Sequence, residues 1–381
     1  MRDGGFSLGR IFGVEIRLHI TWFLVFVLVV LSVPSVSSPT GEQELSGVAR
    51  LVVATVVALL FFASVVAHEL AHALVARRRG IAVKEITLFI FGGAANLEQE
   101  SPNPRTEALV AGAGPLTSVG VGLAFLAAWI GLRRSDIEAV QIVAQSAFWL
   151  ASINILLAVF NLIPGFPMDG GRLLRALLWG VTRDFVRATR IATLIGRAFA
   201  YLLIGIGVVV ALRGGDIIGG IWLSFIGWFL SNAAETSYRR VALEKLVEGI
   251  RVHDVMERNV PQVSPNLTLD TLVDQHLLSG QAMFYPVVLE GDLVGTVDIG
   301  QVSKVPRANW PLTRVTDIMT RGTAMITVSE PDSLWQAVTR FEETGTPAIP
   351  VVDAGDPRRL LGLLTRDGVF RALRARAQLR A

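Results

Sequence analysis

Cysteine is absent from this chain of 381 residues, histidine occurs five times and tyrosine three. Without a thiol there is no disulfide framework and no thiolate metal site. Charge is scarce as well: Asp, Glu, Lys and Arg make up 18% of the residues against 52% hydrophobic ones, and the mean hydropathy is +0.53. A soluble globular chain has roughly a quarter of its residues charged, so this composition points to a membrane protein in contact with the lipid bilayer. The net charge is +3 and the isoelectric point near 9.7. The arginines nevertheless gather where hydrophobic runs end, which fits orientation in a bilayer better than a nucleic-acid surface. No nucleic-acid partner is expected.

A bilayer span needs about 20 mostly apolar residues. Six segments have that length or nearly so: 18–35, 51–76, 108–132, 139–162, 191–212 and 217–234. The first is read as a span rather than a cleaved leader, because the segment before it is long and no small-x-small site follows. The fifth carries Arg197 and could instead be tilted or re-entrant. Basic residues crowd one side of the predicted layout, from Arg2 to Arg17, Arg77 to Arg105, Arg172 to Arg190 and Arg239 to Lys245. That side should be cytoplasmic, with both termini inside and the chain a multi-pass protein of the plasma membrane.

Residues 1–235 thus read as a membrane core and 236–251 as an amphipathic connecting helix, with Leu243, Leu246, Val247 and Ile250 on one face. Beyond it the composition becomes that of a soluble α/β module containing a repeat. Val252, Asp254 and Met256 return as Val315, Asp317 and Met319. Tyr285-Pro286-Val287-Val288 returns as Ile349-Pro350-Val351-Val352, and Gly295 returns as Gly362. The copies are expected at 252–310 and 311–381.

The second apolar segment contains His68-Glu69-Leu70-Ala71-His72. Four residues apart on a helix is one face, so both imidazoles can ligate one metal while Glu69 points at water on it. In a chain this poor in histidine the spacing arises by chance only about once in a few hundred sequences. The bland reading is two interfacial histidines and a snorkelling glutamate. Against it, Glu69 is the only formal charge between Leu51 and Ala76, and an ionisable group at such depth costs roughly 2.5–3.5 kcal/mol. His68 lies nine residues before Arg77, or about 14 Å of helix, so the site should sit within the membrane towards the basic side.

Zinc held by two histidines needs a third protein ligand and an open position. No further histidine follows at a suitable spacing: the others are His19, His253 and His276. A carboxylate is the better candidate, and Asp169 is the choice. It lies in Asn161-Leu-Ile-Pro164-Gly-Phe-Pro167-Met-Asp169-Gly-Gly171, where the prolines stop a helix and the glycines are expected to permit an unusual backbone. Taken alone, Asp169 reads as a turn or N-cap residue of a helix starting near Arg172.

Together, the HELAH helix and the later Asn161, Pro164 and Asp169-Gly170 resemble the site-2 protease family of intramembrane zinc metalloproteases, peptidase family M50. The resemblance covers about residues 10–235. It implies one Zn2+ per chain held by His68, His72 and Asp169, Glu69 as general base, and Asn161 holding the substrate carbonyl or its oxyanion. An asparagine at a span end could equally be a helix cap. The implied fold is an α-helical polytopic membrane protein of about six transmembrane helices, with a small β-hairpin or sheet near the active site. The implied substrate is a single-span membrane protein. Val83–Leu97, β-rich and turning at Gly92-Gly93, would be a strand whose free edge pairs with unwound substrate, or a plain hairpin. Ala113-Gly114-Pro115 matches a family motif at the opening of the third span, where proline in a first helical turn is an equally good account.

The C-terminal repeat resembles a pair of CBS domains. That implies ATP, ADP or AMP between the copies and association into a homodimer. Thr365 and Asp367 follow the last strand of the second copy, whereas Asp298-Ile299-Gly300 in the first lacks the second acid. At most one nucleotide site is therefore expected, and a purely structural module is the alternative. A competing account of the whole chain is a CBS-gated metal-ion transporter or channel, which explains buried ionisable residues but needs no glutamate directly after the first histidine.

Overall fold

Alternation dominates the start of the chain. Val14, Ile16 and Leu18 are buried while Glu15, Arg17 and His19 are half-exposed, the period-two pattern of a strand with one covered face. The computed structural model describes residues 5–33, 46–89, 92–97, 101–213, 216–278 and 282–380. It divides into two units, 1–241 and 242–381.

In the first unit, β1 (Gly5–Ile11) and β2 (Val14–His19) form a hairpin. They are followed by α1 (Thr21–Ser32), α2 (Gly47–Arg78), β3 (Val83–Phe89) and β4 (Gly92–Leu97). Helices α3 (Pro104–Leu132), α4 (Glu138–Asn161), α5 (Asp169–Thr182), α6 (Phe185–Leu212) and α7 (Ile217–Val247) complete it, the division between units falling within α7. Ser46 caps α2, accepting from the Ala49 amide. Asn103 caps α3 by accepting from Thr106, with Pro104 at the first helical position. Asp184 does the same for α6 through Arg187.

Five of these helices, α2, α3, α4, α6 and α7, are long and apolar enough to cross a bilayer. At 32 residues α2 is about 48 Å long. Large apolar side chains such as Leu59, Leu123, Phe148, Leu202 and Trp228 stay exposed along them, as lipid-facing surface requires. The expected first span falls short among the described residues: α1 has 12 residues, about 18 Å, because Leu18 and His19 belong to β2, and residues 34–35 lie outside the described segments. The fifth segment is a continuous 28-residue helix. Its Arg197 reaches Glu235 of α7 at 2.9 Å and the Tyr201 hydroxyl at 3.1 Å, so the charge is partnered within the bundle. The connecting helix is no separate element either, since α7 runs unbroken to Val247.

Sheet order is β1-β2-β3-β4, with β2 parallel to β3 and the other pairs antiparallel. The parallel pair needs a crossover, which α1 and α2 supply. The inner face, Val14, Ile16, Leu18, Ile86 and Leu88, packs on Phe62, Val65, Leu70 and Ala73 of α2. Two expectations change here. Gly92 and Gly93 do not make the turn; they pair with Phe89 and Leu88 inside β4. Nor is an edge of β3 free, because β2 covers one side and β4 the other; the outer strand next to β3 is β4.

In the second unit, β5 (Phe284–Leu289) pairs with β6 (Asp292–Asp298), and β7 (Val328–Ser329), β8 (Ala348–Val352) and β9 (Leu360–Thr365) form the matching sheet. The repeat is present, but its copies are not self-contained. Val252 lies in the core of the second copy with Val328, Leu334, Ile349 and Leu364, with Met256 packed against it. Val315 and Met319 pack with Val263, Tyr285, Val287 and Val297 of the first. A β-carbon on Gly295 would come within 2.8 Å of Met319 Sδ, and one on Gly362 within 3.4 Å of Met256 Sδ. Each start motif therefore fills the other copy's core, so a cut at 310 separates sequence repeats rather than packed halves.

Candidate metal centre

One face of α2 carries His68 and His72, 3% and 5% exposed. Along them runs α3, which meets the rings with Val110, Gly114 and Ser118, residues four apart on a single stripe. His72 Nδ1 donates to the Val110 carbonyl at 2.6 Å, and His68 Nδ1 is hydrogen-bonded to Ser118 Oγ at 2.8 Å. Second contacts of this kind fix ring orientation and tautomer in metal-binding histidines.

The third group arrives from the break between α4 and α5. Asp169 is the first residue of α5, and no side chain caps that helix end. Gly170 and Gly171 have ordinary helical backbone in its first turn, contrary to the unusual conformation expected of them. They are required by close approach: a β-carbon on Gly170 would lie 2.3 Å from the carbonyl oxygens of Leu162 and Ile163. The loop thus folds back against the helix it introduces and delivers the carboxylate inward.

Asp169 Oδ2 lies 3.2 Å from His68 Nε2 and 3.1 Å from His72 Nε2, and the two nitrogens are 3.2 Å apart. These residues form the one group of three His, Asp or Glu side chains found among the described residues with converging ligand atoms. A carbonyl only accepts, so His72 carries a proton on Nδ1, and in the neutral ring Nε2 then presents a bare lone pair to a carboxylate oxygen. Acceptors facing acceptors at this separation repel unless a positive charge lies between them. A proton can relieve one contact; a dication relieves all three. Zinc bonds of about 2.0–2.1 Å place tetrahedral ligand atoms about 3.3 Å apart, so the donor set and its spacing fit zinc.

Glu69 follows His68 on the neighbouring face of α2. It lies against β4, where a β-carbon on Gly93 would come within 2.3 Å of its Cγ. The α3 stripe places Gly114 against the rings: its β-carbon would lie 2.2 Å from His72 Nε2 and 2.5 Å from His68 Nε2. Pro115 is not at a helix start, as the motif suggested, since α3 begins eleven residues earlier at Pro104. The sequence reading names Gly114 only within that motif and misses Ser118, although small residues four apart in an apolar helix are a visible signal of close approach.

Asn161 Nδ2 donates to the Leu157 carbonyl one turn back at 3.0 Å. In the second unit, Thr365 Oγ1 accepts from the Gly368 amide at 3.0 Å and bonds Glu257 at 3.3 Å, while Asp367 is exposed. In the first copy Asp298 is engaged in a reciprocal cap with Gln301.

The sequence profile of peptidase family M50 matches residues 56–136 and 126–203, and that of the CBS domain matches 315–375. Rip3 of Mycobacterium tuberculosis, named as a zinc metalloprotease, is 34% identical over 98% of this chain and 93% of its own length. A zinc metalloprotease of Methanocaldococcus jannaschii is 30% identical over 96% of this chain and 95% of its own. A solved site-2 protease from the same archaeon is 31% identical, covering 62% of this chain and 95% of that one with a TM-score of 0.43.

Proposed function

Because the chain belongs to peptidase family M50 and is a multi-pass zinc metalloendopeptidase with a C-terminal CBS module, we propose that it cleaves single-span membrane proteins within or near their transmembrane segments. His68, His72 and Asp169 hold the metal, and Glu69 is the general base. The observation that carries this reading is the meeting of two imidazole nitrogens and one carboxylate oxygen within 3.2 Å of one another on a membrane-length helix.

When bound, zinc supplies Lewis acidity at the scissile carbonyl and to the attacking water. Glu69 accepts the water proton and returns it to the departing amine. Val110 and Ser118 hold the imidazoles so that both lone pairs stay aimed at one point. A helical substrate hides its carbonyls in its own hydrogen bonds and must unwind; pairing along β4, beside Glu69, replaces some of them. Asn161 is the substrate-carbonyl partner in this scheme, exchanging its bond to Leu157 when substrate arrives. Basic residues at the Arg77 and Arg172–Arg190 connections support cytoplasmic placement of that side, of both termini and of the CBS pair. An adenine nucleotide would bind by Thr365 and Asp367 of the second copy, and a homodimer through the CBS modules is part of the same reading.

The test is Glu69→Gln in the full-length protein with a tagged single-span substrate in proteoliposomes. Cleavage falls roughly 100- to 10,000-fold while zinc stays at one per chain. Wild-type cleavage by this variant would remove Glu69 as the base.

A further inference from the structure

Glu107 is a carboxylate with no exposed surface, in the early part of α3. Its Oε1 accepts from Arg172 Nε at 3.1 Å and from Arg175 Nη2, and its Oε2 lies 3.5 Å from Arg172 Nη2. Both arginines belong to α5. Arg172 stands one turn beyond Asp169 on the same side of that helix. The Arg175 guanidinium sits between Phe166, in the loop that leads to Asp169, and Phe185, with ring centroids 5.1 and 4.6 Å away.

The α3 stripe therefore extends one step past the residues that hold the imidazoles. Ser118 fixes His68, Val110 fixes His72, and Glu107 grips the helix whose first residue is Asp169. That helix has only 14 residues and no side-chain cap at its start; its glycines fit it against the loop before it, and Glu107 adds the directional, charge-assisted bonds that tie it to α3. Metal bonds tolerate errors of about 0.2 Å; a small slide of α5 would carry the carboxylate out of range. We infer that Glu107 is a positioning residue for the reaction: through Arg172 and Arg175 it registers α5 against α3 and so places Asp169 Oδ2 opposite the two imidazoles. This rests on Asp169 being a metal ligand.

The test uses the full-length protein in detergent. Zinc affinity is measured by chelator competition, the cobalt-substituted protein is followed by its visible absorption, and thermal unfolding is recorded on the zinc-free form. Glu107→Gln keeps the shape of the side chain and removes its charge. It is expected to weaken zinc about 10- to 100-fold and to alter the cobalt bands. Arg172→Lys retains a cation but loses the fork that meets the carboxylate; it serves where Glu107→Gln does not fold and is expected to act in the same direction. Glu107→Asp, which keeps the charge, should recover part of the affinity. A variant that lowers only the unfolding temperature, with wild-type zinc affinity and cobalt bands, overturns the inference and leaves Glu107 a structural ion. Asp169→Asn is the separate control: unchanged cobalt bands there would sink the ligand assignment itself.

Discussion

Gly114 and His72 approach so closely that a β-carbon on the glycine would lie 2.2 Å from the imidazole Nε2. The ring cannot yield, because its other nitrogen is held by the Val110 carbonyl at 2.6 Å. The backbone of α3 is thus one wall of the metal site. Gly114→Ala should cost about 100-fold or more in zinc affinity, read as metal content after purification, with cleavage lost in parallel. Full zinc occupancy in this variant would mean that the rings and α3 are further apart than described.

Gly93 stands in the same relation to Glu69 but not to the metal ligands. Its β-carbon would come within 2.3 Å of Glu69 Cγ and displace the base. Gly93→Ala should therefore lower kcat at least about 10-fold with zinc still at one per chain. Loss of zinc instead would place β4 against the ligands rather than against the base.

Ser118 is buried and bonded to His68 Nδ1 at 2.8 Å. Ser118→Ala removes the contact that orients this ring and should weaken zinc about 10- to 100-fold. The Leu and Val side chains that face lipid on α2 offer a contrast: Leu59→Ala should leave zinc affinity unchanged. Chelator titration of the two variants side by side checks both outcomes.

The exchanged start motifs make a prediction about location. Val252 is fully buried among Val328, Leu334, Ile349 and Leu364, so Val252→Ala should destabilise the second copy by about 2 kcal/mol. Hydrogen exchange should accelerate first in β8 and the helix Leu334–Thr344, although residue 252 belongs in sequence to the first repeat. Faster exchange confined to β5 and β6 would refute the exchange.

For the nucleotide, Asp367→Ala in the full-length protein should weaken AMP, ADP or ATP binding in calorimetry about 10-fold or more. Asp298→Ala should not, because Asp298 is committed to its cap with Gln301. Equal effects of both would favour two sites.

What sequence alone determined here is whatever rests on local geometry. Helical period places His68 and His72 on one face wherever their helix lies, apolar run length marks the five helices that are long enough to span among the described residues, and the repeat shows through strand patterns of its own. Counting the donors left to a chain with no cysteine and few histidines asks only for a carboxylate; Asp169 is the one on a proline-broken loop beside a span, and the family resemblance implies the same residue. Tertiary structure decided what depends on pairing distant residues. Nothing near β3 announced that β2, some seventy residues earlier, would cover one of its edges, since hydrogen-bond partners in a sheet are chosen by the fold rather than by neighbours. The start motifs could be matched by eye, yet which core each one fills is a matter of chain crossing. Glu107 and Ser118 carry no signal of their partners in the sequence, and Gly114 reads only as part of a motif at a helix start, because their importance lies in close contacts with side chains of other helices. Such distances exist only once the helices have packed.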